Sequence, residues 1–248
     1  MELTSAYASI ANGGTYQKPV LYTKVVDHNG NILLSNTQKG KRVMKESTAF
    51  LLTDAMKDVI TKGTGKSAKL SSSMAVAGKS GTTSNSYDYW FSGYTPYHTA
   101  SVWMGYDKNT NFASDNTHKK IWAKVMNEII KTKQEQTTDF KKPADIVKAK
   151  VCKESGKLAI KEVCDHDPRG SRVITEYFEK GTVPTQTCDI HVAVEVCKTS
   201  DKLATKNCPA NKKQRKIYIV RKKGSHGKTA DTPYMLPKKY QSVFCKKH

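Results

Sequence analysis

The sequence predicts an α+β protein: an antiparallel sheet with flanking helices, followed by a small disulfide-stapled β-rich region. Three observations carry that reading. Helix and strand patterns occur in runs (helix, helix, three strands, helix) rather than as alternating strand–helix units. The three strands are consecutive and closely linked, which favours antiparallel pairing. All six cysteines of the 248 residues lie beyond position 150, in a strongly polar region. Residues 1–137 are therefore assigned to the helix-and-sheet part and residues 138–248 to the basic, Cys-rich part.

The elements follow in order. "MELTSAYASIANGG" places Leu3, Ala6, Tyr7 and Ile10 at helical spacing, and Gly13-Gly14 end the run. It reads as a helix already under way, so the chain is expected to be truncated and Met1 to be an internal methionine of a longer protein. "VLYTKVVDHNGNILLSN" (20–36) is a hairpin pattern with Asn29-Gly30 at its turn. "ESTAFLLTDAMKDVITKGTG" (46–65) reads as a helix capped by Ser47 and ended by Gly63. "MAVAGKSGT" (74–82), "YWFSGYT" (89–95) and "TASVWMGYD" (99–107) supply the three strands. "HKKIWAKVMNEIIKTK" (118–133) closes this part, with Ile121, Trp122, Val125, Met126, Ile129 and Ile130 as its buried stripe. "KQEQTTDFKKPAD" has no periodicity and reads as a linker near 134–144.

Beyond the linker the chain repeats itself. "VKAKVCKESGKLAIKEVC" (147–164) and "VAVEVCKTSDKLATKNC" (192–208) share V-C-K-x-S-x-K-L-A, with a second cysteine closing each copy. Each copy has the alternation of a small hairpin around a Ser-Gly or Ser-Asp turn. An even cysteine count of this kind predicts a disulfide framework and an oxidising compartment. Six cysteines allow 15 pairings. The repeat favours Cys152–Cys164 and Cys197–Cys208, leaving Cys188 and Cys245 to pair. Zinc is the competing reading, because Cys164-Asp165-His166 and Cys188-Asp189-Ile190-His191 bring imidazoles near thiols. The C-x2-4-C knuckles of zinc ribbons are missing, so neither a metal nor any other cofactor is expected.

The formal charge is +20. Residues 1–137 carry 17 basic against 10 acidic residues and residues 138–248 carry 25 against 12, so the excess concentrates in the second part. It peaks at "KKQRKIYIVRKK" (212–223). A patch of this kind attracts polyanions without identifying them, and anionic cell-wall polymers or lipid headgroups are candidates. Nucleic acid is not expected as a partner, since only Tyr218 interleaves with the basic run. The mean hydropathy is −0.62 and no apolar run approaches a membrane span or a signal peptide. "KGTGKSA" (62–68) ends like a phosphate-binding loop, but the required first glycine is Ile60 and a helix precedes it, so it reads as a turn.

The most specific stretch is "AGKSGTTSNSYDYWFSGYTP" (77–96), in which a lysine, hydroxyls and a glycine follow one another along a strand. With "LTSAYASIANGGTYQKP", "LLTDAMKDVITKGTGK", "VWMGYD" and "EYFEKGTVPTQTCDIH", it makes the chain resemble the C-terminal part of the transpeptidase domain of class A (bifunctional) penicillin-binding proteins, plus a C-terminal extension. The resemblance is close over residues 1 to about 133 and looser to about 191.

It implies part of the transpeptidase fold shared with serine β-lactamases, and a D-alanyl-D-alanine transpeptidase acting in peptidoglycan biosynthesis outside the bacterial cytoplasmic membrane. The family places a nucleophilic serine in S-x-x-K, a second motif S-x-N, and K-[ST]-G-T on the facing strand. On that basis Lys79 supplies positive charge, and Ser80 and Thr82 hydrogen-bond the carboxylate of a stem peptide or β-lactam. Gly81 admits the substrate backbone, Thr83 completes the binding stretch, and the Thr82 N–H is half of an oxyanion hole. Such a donor is worth roughly 3 kcal/mol in the transition state.

Literal matches to the other two motifs, Ser114-Asp115-Asn116 and Ser225-His226-Gly227-Lys228, come in the wrong order and lie in polar or Gly/Lys-rich segments. The chain is therefore expected to lack its nucleophile and to be inactive alone. Its missing partner would be the N-terminal part of the same protein, carrying a membrane anchor and a glycosyltransferase domain. The inner face of the K-S-G-T strand is then expected to be partly exposed. The alternative is a non-catalytic protein that binds wall polymers through its basic Cys-rich part.

Overall fold

The structure, a computed structural model, describes residues 1–221 and 229–247. The segment Ser225–Lys228 and the end of the basic run, Lys222-Lys223, lie outside the described residues. The chain forms two compact units, Met1–Ile146 and Val147–His248. Among the described residues no helix is long and apolar enough to cross a membrane.

The first unit runs α1 (Glu2–Ala11), β1 (Thr15–Tyr16), β2 (Lys24–Val26), β3 (Ile32–Ser35), β4 (Lys41–Arg42), α2 (Glu46–Thr61), β5 (Ala77–Thr82), β6 (Asp88–Tyr94), β7 (Thr99–Gly105) and α3 (Thr117–Lys133). Its centre is the antiparallel sheet β5-β6-β7. Side chains alternate across a strand, so the sheet presents two different faces. Phe91, Ala100 and Val102 pack with Val76, Met74, Leu70 and Ile60 against Trp122, Met126 and Ile130 of α3. Phe91 meets Trp122 edge to face at 5.2 Å, and the Trp122 indole N–H donates to the Ala100 carbonyl at 3.0 Å. On the opposite face Ala77 and Tyr94 pack with Met56 of α2 and with Tyr7 and Ile10 of α1.

The α1 helix ends where Gly13 and Gly14 take positive φ; a Cβ on Gly14 would lie 2.3 Å from the Met44 carbonyl oxygen, so only glycine fits. The β2–β3 hairpin turns on Asp27, whose carboxylate accepts from the backbone N–H of Asn29 and Asn31. Two expectations for the helices are corrected. Lys45 holds the N-cap position of α2, and Ser47 lies one residue inside the helix, buried, with no capping bond. In α3 the buried stripe is Trp122, Ala123, Met126 and Ile130, with Ile129 partly buried, whereas Ile121 and Val125 are exposed.

The second unit holds β8 (Ile146–Cys152), β9 (Val173–Glu179), β10 (His191–Cys197), β11 (Lys202–Leu203), β12 (Lys213–Ile219) and the short helix α4 (Lys239–Ser242). The strand β10 lies between β11 and β12, antiparallel to both. The two repeat copies fold alike. Val151 pairs with Leu158 in the first, and Val196 with Leu203 in the second.

The disulfide framework is corrected. All six cysteines are free and buried. Their sulfurs gather in threes, Cys152 with Cys164 and Cys188, and Cys197 with Cys208 and Cys245. Three sulfurs cannot all pair among themselves, and the proposed bridge between Cys188 and Cys245 joins different clusters. Those clusters sit at the two ends of β10, from His191 beside the first to Cys197 in the second. Six strand steps separate them by ~20 Å, whereas bridged cysteines need Cα atoms within ~7 Å. Without bridges, the cysteines give no ground for an oxidising compartment.

Candidate functional site

The K-S-G-T residues occupy β5, which is an edge strand: β6 pairs along one side and no strand pairs along the other among the described residues. An edge strand offers a row of backbone N–H and C=O groups to an incoming chain. The antiparallel register sets Lys79 opposite Ser92, Ser80 opposite Phe91, Gly81 opposite Trp90 and Thr82 opposite Tyr89. By alternation Lys79 and Gly81 share a face with Trp90 and Trp103, while Ser80 and Thr82 lie on the other. Lys79, Gly81 and Thr82 are exposed and Ser80 is half-buried. Trp90 and Trp103 lie side by side, 6.4 Å between ring centroids, 36% and 44% exposed.

The individual side chains differ in what they are free to do. The Lys79 ammonium donates to the Ser80 carbonyl at 2.6 Å. Ser80 shares a hydrogen bond of 2.9 Å with Thr64, in the loop after α2. Thr83 sits beyond the strand and closes the β5–β6 turn. Its hydroxyl accepts from the Asp88 N–H at 2.9 Å and donates to the Asp88 carboxylate at 3.2 Å. Trp103 donates to the other oxygen of Asp88 at 2.9 Å, which ties the exposed tryptophan to the same turn. Gly81 has room: a Cβ there would meet only the Trp90 Cβ, at 3.6 Å. Gly78, three residues earlier, has none, since a Cβ would lie 2.7 Å from the Phe91 ring and 2.9 Å from the Ser92 carbonyl.

A second cation stands nearby that the sequence did not reveal. Lys119, in the first turn of α3, is buried and donates to the Thr64 carbonyl at 2.8 Å and to Asn116 Oδ1 at 2.7 Å. Burial, with the Lys79 charge adding to it, pulls its pKa below the ordinary lysine value. Lys79, Thr64, Ser80, Lys119 and Asn116 thus form one connected polar group at the strand edge. Fifty-five positions separate Thr64 from Lys119, and no local pattern joins them. Asn116 belongs to the literal S-D-N match. It takes a left-handed conformation at the N-cap of α3, and Ser114 hydrogen-bonds His118 at 3.2 Å. His118 is buried, and its pKa falls through desolvation first and then the Lys119 charge.

In the second unit much of the basic run is neutralised. Lys213 pairs with Glu195 at 3.7 Å, Arg215 with Glu162 at 3.3 Å and Lys216 with Asp201 at 3.6 Å. Arg221 lies between Glu154 and Asp231.

A family model described as "Penicillin binding protein transpeptidase domain" matches residues 1–131, and one described as "Penicillin-binding protein 1A, C-terminal domain" matches residues 142–193. Penicillin-binding protein 1A of Clostridium botulinum (strain Langeland) is 36% identical over 241 residues, 95% of this chain and 28% of the relative. Penicillin-binding protein 1A of Clostridium novyi is 33% identical over 239 residues, 96% of this chain and 27% of the relative. Penicillin-binding protein 2D of Bacillus subtilis is 33% identical over 224 residues, 86% of this chain and 30% of the relative. The chain thus spans less than a third of the length of each of these relatives. The crystal structure of penicillin-binding protein 1A from Haemophilus influenzae superposes with a TM-score of 0.58 at 24% identity, over 75% of this chain and 32% of that one; this likeness bears on the fold alone.

Proposed function

The chain belongs to the penicillin-binding protein transpeptidase family, and from that premise we propose that its first unit is the substrate wall of a peptidoglycan cross-linking D-alanyl-D-alanine transpeptidase. The observation that carries this is the open edge of β5, with Lys79, Gly81 and Thr82 exposed along it. An extended stem peptide, or a β-lactam, aligns along that edge by backbone hydrogen bonds. Ser80 and Thr82 receive its terminal carboxylate, Lys79 supplies the compensating charge, and the Thr82 N–H faces the developing oxyanion. Thr83 acts indirectly, holding the β5–β6 turn. The buried cation Lys119 raises the positive potential at the same edge.

The acyl transfer needs a serine that attacks the penultimate D-alanine carbonyl. The C–N bond to the terminal D-alanine breaks, D-alanine leaves with a proton, and the acyl group passes to an amine of a neighbouring stem. Among the described residues no serine opens an S-x-x-K motif. Ser114 is tied to His118 at the approach to α3, so the chain supplies the wall and not the nucleophile. We place its work on the outer face of the cytoplasmic membrane, where the polymer is.

The test is intact mass spectrometry of the purified chain after incubation with excess penicillin. No adduct is expected. A stoichiometric adduct mapping to Ser114 or Ser225 would overturn the claim that the nucleophile is elsewhere. The alternative, a wall-polymer binder acting through the basic run, is weakened by the carboxylate partners of Lys213, Arg215, Lys216 and Arg221.

A further inference from the structure

The second unit gathers its sulfurs around points rather than in pairs. Cys152, Cys164, Cys188 and His191 are all buried, and their four ligand atoms lie within 4.8 Å of one another. His191 Nδ1 stands 3.4 Å from the Cys152 sulfur and 3.3 Å from the Cys188 sulfur. Zn–S and Zn–N bonds of about 2.3 and 2.0–2.1 Å, at the tetrahedral angle, put sulfur and nitrogen about 3.6 Å apart. The four atoms are therefore already near the corners of a tetrahedron around one small ion.

The surroundings are those of a metal ligand. His191 Nε2 donates to Asp167 Oδ2 at 2.6 Å, and both side chains are fully buried. That bond fixes the proton on Nε2 and leaves the Nδ1 lone pair facing the sulfurs, the carboxylate–histidine arrangement that orients metal-bound imidazoles. Asp167 is in turn gripped by Arg169, through Nη2 at 2.8 Å and Nε at 3.0 Å, and Arg169 continues to Asp231 at 2.6 Å. The Cys164 sulfur accepts the Ile160 N–H at 3.3 Å. An apolar packing role for the cysteines would not aim an imidazole nitrogen at two of them. Among the described residues, Ala159, Ile160, Val173 and Ile190 pack around the cluster.

The second cluster repeats the first bond for bond. The Cys188 N–H donates to the Leu158 carbonyl, and the Cys245 N–H to the Leu203 carbonyl, each at 2.8 Å. Lys153 donates to Arg172 as Lys198 does to Lys212, again at 2.8 Å. Cys152, Cys164 and Cys188 thus correspond to Cys197, Cys208 and Cys245.

We propose that the second unit is a twofold zinc module: one structural zinc ion held by Cys152, Cys164, Cys188 and His191, and a second held by the three thiolates of Cys197, Cys208 and Cys245. Thiolate and imidazole donors select zinc over magnesium or calcium, and the closed four-ligand set of the first site is structural rather than catalytic. Asp167 is a positioning residue for His191.

The test uses the full 248-residue chain, produced in zinc-containing medium and purified without chelator. Metal analysis should give about two zinc ions per chain, and Cys188→Ser or Cys245→Ser should each remove one. Cobalt(II) exchanged for zinc should show thiolate-to-metal charge-transfer bands and tetrahedral ligand-field bands. Asp167→Asn keeps every ligand, and should weaken zinc at the first site by about 10–100-fold without changing the second. A folded chain with no metal and a mass six hydrogen atoms lighter, its thiols joined as three disulfides, would overturn the proposal. Zinc content left undiminished by Cys188→Ser would overturn the first site, and content left undiminished by Cys245→Ser would overturn the second.

Discussion

Adding one methyl group at either of two glycines of β5 separates a packed face from an open one. At Gly78 the new Cβ would sit 2.7 Å from Phe91 Cζ, 2.9 Å from the Ser92 carbonyl oxygen and 3.0 Å from Gly93 Cα. Two of those three neighbours are backbone of the paired strand and cannot swing aside. Overpacking of this kind costs about 1–3 kcal/mol. At Gly81 the same methyl group meets one atom, Trp90 Cβ, at 3.6 Å, an ordinary contact. Its φ lies in the range open to any residue, so Gly81→Ala should be neutral or stabilise by about 0.4–1 kcal/mol through the unfolded chain. All three tryptophans, Trp90, Trp103 and Trp122, lie in the first unit, so urea unfolding followed by tryptophan emission reads that unit alone. Gly78→Ala should lower the midpoint clearly, with the slope unchanged. Equal destabilisation by Gly81→Ala would refute the reasoning, because the substrate-facing edge would then be packed and not open.

Other outcomes follow from the buried groups. Burial pushes the Tyr94 hydroxyl up to about 12, against the pull of its hydrogen bond with Thr53. A group with a raised folded-state pKa stabilises fully below its unfolded value, near 10, and loses that contribution as pH rises toward 12. Tyr94→Phe should therefore flatten the fall of first-unit stability over that window, read by thermal melts at pH 9 to 12; an unchanged slope would count against it. Phe91→Ala removes a fully buried ring from the Trp122 contact, and should cost about 3–5 kcal/mol and shift Trp122 emission. Arg169→Met leaves Asp167 and Asp231 short of a partner, and should cost about 3–5 kcal/mol in the second unit, followed by far-ultraviolet circular dichroism.

The helix-and-sheet part was legible because its signals are local. Short consecutive strand segments mark β5, β6 and β7, and the glycine pair marks the end of α1; both act within a few residues of where they are read. The stripe of α3 was only half legible. Ile121 and Val125 satisfy helical spacing as well as Trp122 and Met126 do, and the choice between them is made by the sheet, where Gly93 and Phe91 receive the Trp122 ring. The K-S-G-T edge could be read from its order of residues. Its neighbours Thr64 and Lys119 could not, since they meet only when α2 and α3 pack beside β5.

The cysteines show how a correct repeat can support a wrong chemistry. The duplication of V-C-K-x-S-x-K-L-A is real, and it pointed to bridges inside each copy because each copy holds two cysteines. The third member of each set arrives after a separate strand, 24 residues past Cys164 and 37 past Cys208, where no spacing rule connects it. What makes it a member is a parallel bridge, Leu158 with Thr187 in one copy and Leu203 with Phe244 in the other. That bridge delivers Cys188 and Cys245 to sulfurs already set by the hairpins. An odd number of thiols at each end of one strand then favours a shared central ion over a covalent pair. The C-x2-4-C knuckle that was absent from the sequence is not needed, because Cys188-x-x-His191 supplies a knuckle with an imidazole in place of one thiolate.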